Sequence, residues 1–463
     1  MPQVTLPASG ALRGLVAPAL LMLVAALARL PTLGQPLTEA HGFRQTQTAY
    51  TALIYHRQGI DLLRPELPVA GPPWLVPFEF PLVQAVGSLL MDIGISPDVA
   101  MRTLGLALHL LTGALLFGLT RRIAGEVCAA IALAAFLFCP FGMLWGRTSM
   151  IEFGATAASI GALWAGTAWL DSRRRWLFIT AFAAATIAML VKSSTAIWYL
   201  FPLLAWRPSL GPASWREPGI WILISFAVVA GALWTLWADS IKAATLSTAS
   251  LTSSGLRSWY FGVAGDRFDL ANWTTIIGRI LLQMTGLAFF FWVTLGALHA
   301  GQLHQRRFLA ALAAAGVLPI IVLMPVFTVH NYYLAAISPI VALAVGLGGT
   351  WLYSRRHLAT ERMSAMLIAG LWLIAFFMSD WWRIYLPVSD PAETLPAAAY
   401  VSAHSQPGET VVVLGRPWDP SVLYYADRRG FAAESTTLAF EDYDLVVLCP
   451  YGRACQTVPS DER

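Results

Sequence analysis

Residues 37–50, LTEAHGFRQTQTAY, hold a carboxylate, an imidazole, a guanidinium, two amides and three threonines beside the first apolar stretch of the chain. Glu39 and His41 could each take a proton from a nucleophile. Their i, i+2 spacing puts them on opposite faces of an extended segment, so one base and one binding residue fit better than a dyad. Arg44 and Gln45 begin a helix-like run, RQTQTAYTALIYHR. Gln45 and Thr48 (i, i+3), and Arg44 and Thr48 (i, i+4), share a helix face that could line a polar pocket or simply meet solvent.

Other candidates lie far away in sequence. Arg147, Lys192 and His330 each fall at a turn between apolar segments and could hold an anion or a phosphate; Tyr332 and Tyr333 add hydroxyls beside His330. A cation at a helix end is otherwise an interfacial snorkeller. Glu152 lies one turn inside an apolar helix, where a carboxylate is costly unless it is paired or wet, so it is a functional candidate by default. Glu79, in FEFP, could contribute to the site or only seat the helix after it. Glu39, His41 and Glu79 could together offer oxygen and nitrogen ligands to a divalent metal, but their spacing has no diagnostic ligand pattern.

These groups must be positioned by a very apolar chain. Of 463 residues, 57% are hydrophobic and 12% charged, and mean hydropathy is +0.62. Soluble domains carry about 25% charged residues. The chain is therefore read as a polytopic α-helical membrane protein. Its 19 tryptophans suit two membrane interfaces. A net charge of +4 gives nucleic acid binding no electrostatic support. The stretch at 14–32 lacks a small-residue cleavage site and reads as an uncleaved first helix.

Apolar segments lie near 14–32, 80–95, 99–120, 126–145, 149–170, 176–191, 194–206, 219–238, 274–298, 307–327, 331–353 and 363–386. Arg121–Arg122, Arg173–Arg175, Arg207 with Arg216, Arg306–Arg307, and Arg355–Arg356 with Arg362 mark cytoplasmic loops by the positive-inside rule. Segment 80–95 then fits a juxtamembrane or re-entrant helix, and about eleven crossings remain, with the N-terminus inside. Segments 176–191 and 194–206 become two short arms meeting at Lys192. The alternate loops and the tail face outward, and that outer face collects Glu39, Glu79, Glu152, both lysines of the chain, Asp239 and Asp380.

Residues 1–386 form the expected membrane domain, with 33–98 a first outer loop and 239–273 a Ser/Thr-rich outer loop suited to be a lid. Residues 387–463 turn polar. ETVVVLG and DYDLVVLCP read as strands, LPAAAYVSAH and PSVLYYADRR as helices, giving a small α/β domain with parallel strands. Cys449 and Cys455 could bond if the tail faces an oxidising compartment, or stay free; Cys128 and Cys139 read as core residues.

Four stretches in order, EAHGFRQTQTA, FEFPLVQAVGSLL, GRTSMIEFGATAA and HNYYLAAISPIVALAVGLG, resemble the GT-C class of integral-membrane glycosyltransferases, in particular family 39-like bacterial enzymes akin to aminoarabinose transferase and protein O-mannosyltransferases. The resemblance covers about residues 14–386. It implies a GT-C-like fold in the plasma membrane and transfer of a sugar from a polyprenyl-phosphate donor to an extracytoplasmic acceptor, whether lipid, glycan or protein. It implies no cofactor with certainty. The family's first loop usually carries Asp-Glu followed by Arg-Tyr. With Arg44 aligned to the family arginine, His41 stands where the acidic residue would be and Glu39 lies two residues upstream. That departure leaves Glu39 and His41 both open as the base, and leaves a catalytically inactive scaffold as an alternative. A lipid or glycolipid transporter is the third reading, although no internal repeat supports it.

Overall fold

In a computed structural model, residues 8–209, 213–379, 381–386, 390, 392–434 and 442–459 are described, with side chains from residue 16 onward. The architecture is mostly helical. α1 (Ala8–Arg29) leads into the first loop, where α2 (Gly42–Gln58) and α3 (Leu82–Asp92) lie. α4 (Pro97–Ala124), α5 (Glu126–Phe138), α6 (Pro140–Trp145) and α7 (Glu152–Ser172) follow. Then come α8 (Arg175–Ala196), α9 (Pro202–Ala205), α10 (Pro218–Lys242), α11 (Leu246–Ala249) and α12 (Arg257–Phe261). α13 (Leu270–Gln283), α14 (Phe289–Ala300), α15 (Arg306–Val322), α16 (Met324–Val329), α17 (Ser338–Ser354) and α18 (Ala359–Met378) complete the bundle.

Among the described residues, four helical segments are long and apolar enough to cross a membrane: Pro97–Ala124, Arg175–Ala205, Pro218–Lys242 and Ala359–Met378. The protein is thus a multi-pass membrane protein. The other apolar helices are shorter, so helix length alone does not give the eleven crossings read from loop charges. α10 shows what faces lipid: Ile222, Phe226, Val229, Leu233 and Leu236 recur at three- and four-residue steps and are all exposed.

Two expected crossings are broken. Segment 126–145 divides at Cys139–Pro140, because proline lacks the N–H that would continue α5. Segment 274–298 divides at 284–288, where Gly286 and Leu287 take positive φ. Arg175–Ala205 counts as one span by length and composition alone, but its two arms reverse direction at Lys192. Lys192 has φ −158° and ψ 77°, outside the helical region. Its side chain reaches Glu152 at one end of α7, and Trp206 bonds Asp171 at the other. The same far end holds the ion pairs Arg122–Asp171 and Arg173–Glu217. The bundle therefore has a basic end and, opposite it, the end where the candidate residues gather.

The tail folds as α19 (Thr394–His404), β1 (Thr410–Leu414), α20 (Ser421–Ala426), β2 (Arg429–Ala433), β3 (Leu445–Leu448) and β4 (Gln456–Thr457). The sheet order is β2-β1-β3-β4, parallel except for β4. Val411, Val412 and Val413 are fully buried, as expected of a central parallel strand covered on both faces. PSVLYYADRR is helical only through Ala426; Asp427 turns left-handed and β2 begins at Arg429. Cys449 and Cys455 are bonded. The boundary expected at 386/387 meets residues 387–389, which lie outside the described residues.

The tail does not hang free. It shares one hydrophobic core with the first loop and the start of α4, including Leu37, Leu53, Val69 and Met101 from one side and Val401, Val413 and Leu423 from the other. Ala432 N–H donates to the Val69 carbonyl (2.9 Å), and Arg429 pairs with Glu66 (2.8 Å). Tyr424 and Tyr425 both donate to Asp98 (2.7 and 3.0 Å), and Tyr425 Oη accepts the Leu37 N–H at 2.5 Å. The first loop is thus held between the bundle and the tail.

Candidate functional site

Glu39 lies at the centre of a buried clamp. Arg102, on α4, donates Nε to the Gln35 carbonyl (2.9 Å), Nη2 to the Pro36 carbonyl (2.6 Å) and Nη1 to Glu39 Oε1 (2.7 Å). Arg147 donates Nη2 to Glu39 Oε2 (2.5 Å) and Nη1 to the Thr32 carbonyl (3.3 Å). Both arginines are 0% exposed. The close pass is made by Gly105, where a Cβ would stand 2.2 Å from the Thr148 carbonyl oxygen. Burial works against ionisation of Glu39, but the charges and hydrogen bonds of Arg102 and Arg147 outweigh it and hold its carboxyl below the usual range. Both oxygens being occupied, Glu39 is built as a strut and is a poor base.

His41, two residues on, caps α2 in the left-handed region (φ 52°, ψ 43°). A non-glycine residue held there is uncommon, and such strain clusters at functional sites. Its ring packs 5.3 Å from His330, 5.0 Å from Tyr332 and 5.8 Å from Trp145, centroid to centroid. Trp259 of α12 reaches His330 (5.4 Å), which brings the 239–273 loop onto the site. Burial lowers the His41 pKa and the charge of Arg279 lowers it further, against the proximity of Asn331 and the charge of Glu152, which favour the charged form. Burial, with His41, Lys192 and Arg44 nearby, lowers that of His330 to about 4. Both rings are therefore neutral near pH 7.

A second pair lies beside them. Lys192 Nζ donates to Glu152 Oε1 (2.6 Å), while Glu152 Oε2 is buried without a partner. Lys192 Nζ also stands 3.9 Å from the Tyr333 ring centroid and 5.6 Å from that of Tyr332. These tyrosines, expected to supply hydroxyls, present their ring faces to the lysine as cation–π partners. Break of helix at Lys192 is what turns its ammonium toward α7. A third pair, Arg44–Glu79 (3.2 Å), is extended by Gln84, which donates to Glu79 Oε1 (2.8 Å). His330 Nδ1 and Asn331 Oδ1 are further buried polar atoms without partners.

The structure thus brings Glu39, His41, Arg44, Glu79, Arg147, Glu152, Lys192, His330, Tyr332 and Tyr333 to one end of the bundle. It corrects two expectations. Gln45 and Thr48 are buried and do not line a pocket. Gln45 donates to the Ala40 carbonyl and accepts the Ser149 N–H, and Thr48 bonds the Arg44 carbonyl. Gln45 thereby ties α2 to the 146–151 turn, while the Thr48 bond stays within α2. The metal set Glu39, His41 and Glu79 does not form: among the described residues no group of three or more His, Cys, Asp or Glu could hold an ion, and the oxygens of Glu39 are taken by arginines.

Arg102 and Arg279 were not among the residues singled out from sequence. Each is a charge inside an apolar segment, the same signal that marked Glu152. Trp145 and Trp259 gave no such signal, since aromatic residues are common throughout the chain.

The neutral His330 has a consequence for stability. Unfolded, its imidazole takes a proton near pH 6.5, and folded only near pH 4. Between those values the unfolded chain binds more protons, so stability is full above about pH 6.5 and falls as pH is lowered toward 4. Thermal unfolding from pH 7 to 4.5 should show a drop that is shallower in His330→Asn; equal slopes would contradict the burial argument.

Residues 76–237 match the family model described as dolichyl-phosphate-mannose-protein mannosyltransferase. A comparison with curated protein sequences finds no match. Among solved structures, the chain resembles ArnT from Cupriavidus metallidurans bound to undecaprenyl phosphate, with TM-score 0.61, 12% identity, and 93% of this chain and 87% of that one covered. It also resembles the Archaeoglobus fulgidus oligosaccharyltransferase tethered with an acceptor peptide, with TM-score 0.58, 13% identity and 91% of this chain covered. The chain spans 64% of that oligosaccharyltransferase's length. At these identities the likeness establishes a shared GT-C-like fold.

Proposed function

We propose that the protein is a glycosyltransferase that moves a sugar from a polyprenyl-phosphate carrier to an acceptor on the extracytoplasmic side of the membrane. The observation that carries this reading is charge. Arg44, Arg102, Arg147, Lys192 and Arg279 face Glu39, Glu79 and Glu152 around His41, an excess of two positive charges at one end of an apolar bundle. A phosphate on a lipid tail would balance that excess while its tail stays in the bilayer. The family match and the GT-C-like fold support the donor class.

In this reading, His41 takes the proton of the acceptor hydroxyl. The acceptor oxygen then bonds to the anomeric carbon, the bond from that carbon to the phosphate oxygen breaks, and the phosphate leaves with the electron pair. Arg44 and Lys192 stabilise the charge it gains. The positive-inside rule puts the basic end in the cytoplasm and the site outside, with eleven crossings and an inner N-terminus. The Cys449–Cys455 bond suits an oxidising compartment.

One observation favours a second reading, an inactive scaffold: the only carboxylate of residues 37–50 is locked between two arginines. Release of polyprenyl phosphate, followed by mass spectrometry over a panel of polyprenyl-phosphate sugars with candidate acceptors present, separates the two. Turnover is expected for the wild type. Its absence from folded protein that still binds polyprenyl phosphate would favour the scaffold. The paired change Lys192→Met with Glu152→Gln removes both buried charges together, which avoids stranding one of them. It should weaken polyprenyl phosphate binding at least tenfold, and unchanged binding would remove Lys192 from the phosphate site.

A further inference from the structure

Residues 33–41 run through turns and bends before α2, so the backbone that carries His41 is fixed by what grips it from outside. Gln35 donates Nε2 to the Ile384 carbonyl (2.8 Å). Arg102 donates to the Gln35 and Pro36 carbonyls and to Glu39, whose other oxygen goes to Arg147. Pro36 has no N–H, so the next backbone donor after Gln35 is the Leu37 N–H, and it goes to Tyr425 Oη (2.5 Å). The Leu37 side chain is fully buried, and its carbonyl oxygen lies against Gly42, where a Cβ would stand 2.9 Å away. Tyr425 belongs to α20 of the tail, 388 positions further along the chain.

We infer that Tyr425 is a positioning residue for His41: its hydroxyl holds the Leu37 N–H, and with it the turn that carries the imidazole into the site. A phenol suits this place because its oxygen has two tasks. It donates its proton to Asp98 Oδ2 (3.0 Å) while accepting from Leu37. A hydroxyl whose proton goes to a carboxylate is the stronger acceptor for it. Asp98 and Arg102 stand four residues apart on one face of α4. One turn of that helix therefore reaches the loop twice, directly through Arg102 and by way of the tail through Asp98 and Tyr425. The conformation of His41 makes this grip matter. A φ of 52° is unfavourable for a non-glycine residue and persists only where the surroundings over-determine it. Slack at Leu37 lets position 41 return to a commoner conformation and takes the ring away from His330 and Tyr332. Tyr424 provides the contrast. Its hydroxyl bonds the same carboxylate (2.7 Å), but among the described residues it bonds no atom of 33–41. The tail thus takes part in the reaction by fixing the loop that presents the base.

This role rests on the glycosyltransferase reading with His41 as base, so the test pairs turnover with a readout that needs none. Hydrogen–deuterium exchange of the full-length protein in detergent, followed by mass spectrometry, reads protection over residues 35–44, with 50–58 of α2 as the internal standard of folding. Tyr425→Phe removes the hydroxyl and keeps the ring against the shared core, while Tyr424→Phe removes the neighbouring hydroxyl from the same carboxylate. Tyr425→Phe is expected to speed exchange over 35–44 by roughly fivefold or more, with 50–58 as in the wild type. It should also lower kcat for polyprenyl phosphate release by roughly tenfold or more, at an unchanged KM for the polyprenyl-phosphate sugar, because a small displacement of a catalytic group is costly. Tyr424→Phe should stay within about twofold of the wild type in both readouts. The unchanged KM separates lost positioning from a general loosening, which would weaken donor binding as well. The inference is overturned if Tyr425→Phe leaves exchange over 35–44 unchanged, if exchange rises equally over 50–58, or if exchange over 35–44 rises while kcat holds. It is also overturned if Tyr424→Phe matches Tyr425→Phe in both readouts, which would make the pairing of Asp98 the cause in place of the Leu37 contact. Faster exchange over 35–44 in Tyr425→Phe, together with no turnover by folded wild type, overturns the glycosyltransferase reading and leaves the anchor at Leu37 standing.

Discussion

Glu39→Gln is expected to destabilise the protein by about 3–5 kcal/mol, the usual cost of removing one partner from a buried ion pair. Arg102 and Arg147 are both fully buried and both depend on this carboxylate. A neutral amide in its place leaves two guanidiniums without a counter-charge. It also offers only one oxygen where two are used. The side chain of Glu39 itself is 14% exposed, so solvent screens the loss only slightly. The measurement is thermal unfolding in detergent, monitored by intrinsic fluorescence. The double change Glu39→Gln with Arg147→Met should recover part of the loss, because it removes one stranded charge. If Glu39→Gln keeps the wild-type midpoint and loses turnover, Glu39 is the base and the strut assignment fails.

His41→Asn should do the opposite, lowering turnover by about 10²–10⁴-fold, the range a positioned general base supplies, while the unfolding midpoint stays near that of wild type. Asparagine is chosen because it tolerates the left-handed backbone that position 41 adopts, so the substitution does not also disturb the start of α2. Its amide cannot take a proton at neutral pH. The activity of the wild type should fall as acid protonates the imidazole, with a midpoint below the ordinary histidine value, since burial disfavours the charged ring. Release of polyprenyl phosphate across pH 4.5–8 is the assay. A His41→Asn enzyme with wild-type turnover would transfer the proton-accepting role elsewhere.

The two variants together resolve what the sequence left open between neighbouring residues. Glu39 and His41 are two positions apart, and from spacing alone either could be the base. Their roles divide because of Arg102 and Arg147, which come from α4 and from the turn before α7, far along the chain. Nothing local to 37–50 announces them. Arg102 carried a usable signal, a charge one turn inside an apolar helix, but its partner is a matter of packing.

Much was fixed by local chemistry. The apolar runs and the arginine pairs that punctuate them gave the helical membrane architecture and a basic end. The two valine-rich runs gave the central strands of the tail. The reversal at Lys192 followed from basic loops on both sides of a stretch too short for two ordinary helices, and contacts of Lys192 with Glu152 and of Trp206 with Asp171 bear it out. Helix interruptions at Pro140 and at Gly286–Leu287 were less legible, because a hydrophobic run looks the same whether or not its backbone is continuous.

Only the tertiary structure decided which polar groups meet. Gln45 and Thr48 share a helix face with Arg44 by periodicity, yet they are turned into the protein and spend their hydrogen bonds on backbone, while Gln47 and Gln84 bond the Arg44–Glu79 pair. Nor does sequence say that the tail grips the first loop through Tyr424, Tyr425 and β2. The physical reason is the same in each case. Hydrophobic patterning is a property of neighbours in the chain and specifies elements, whereas ion pairs, orphaned acceptors and shared cores depend on which distant elements come within a few ångströms of one another.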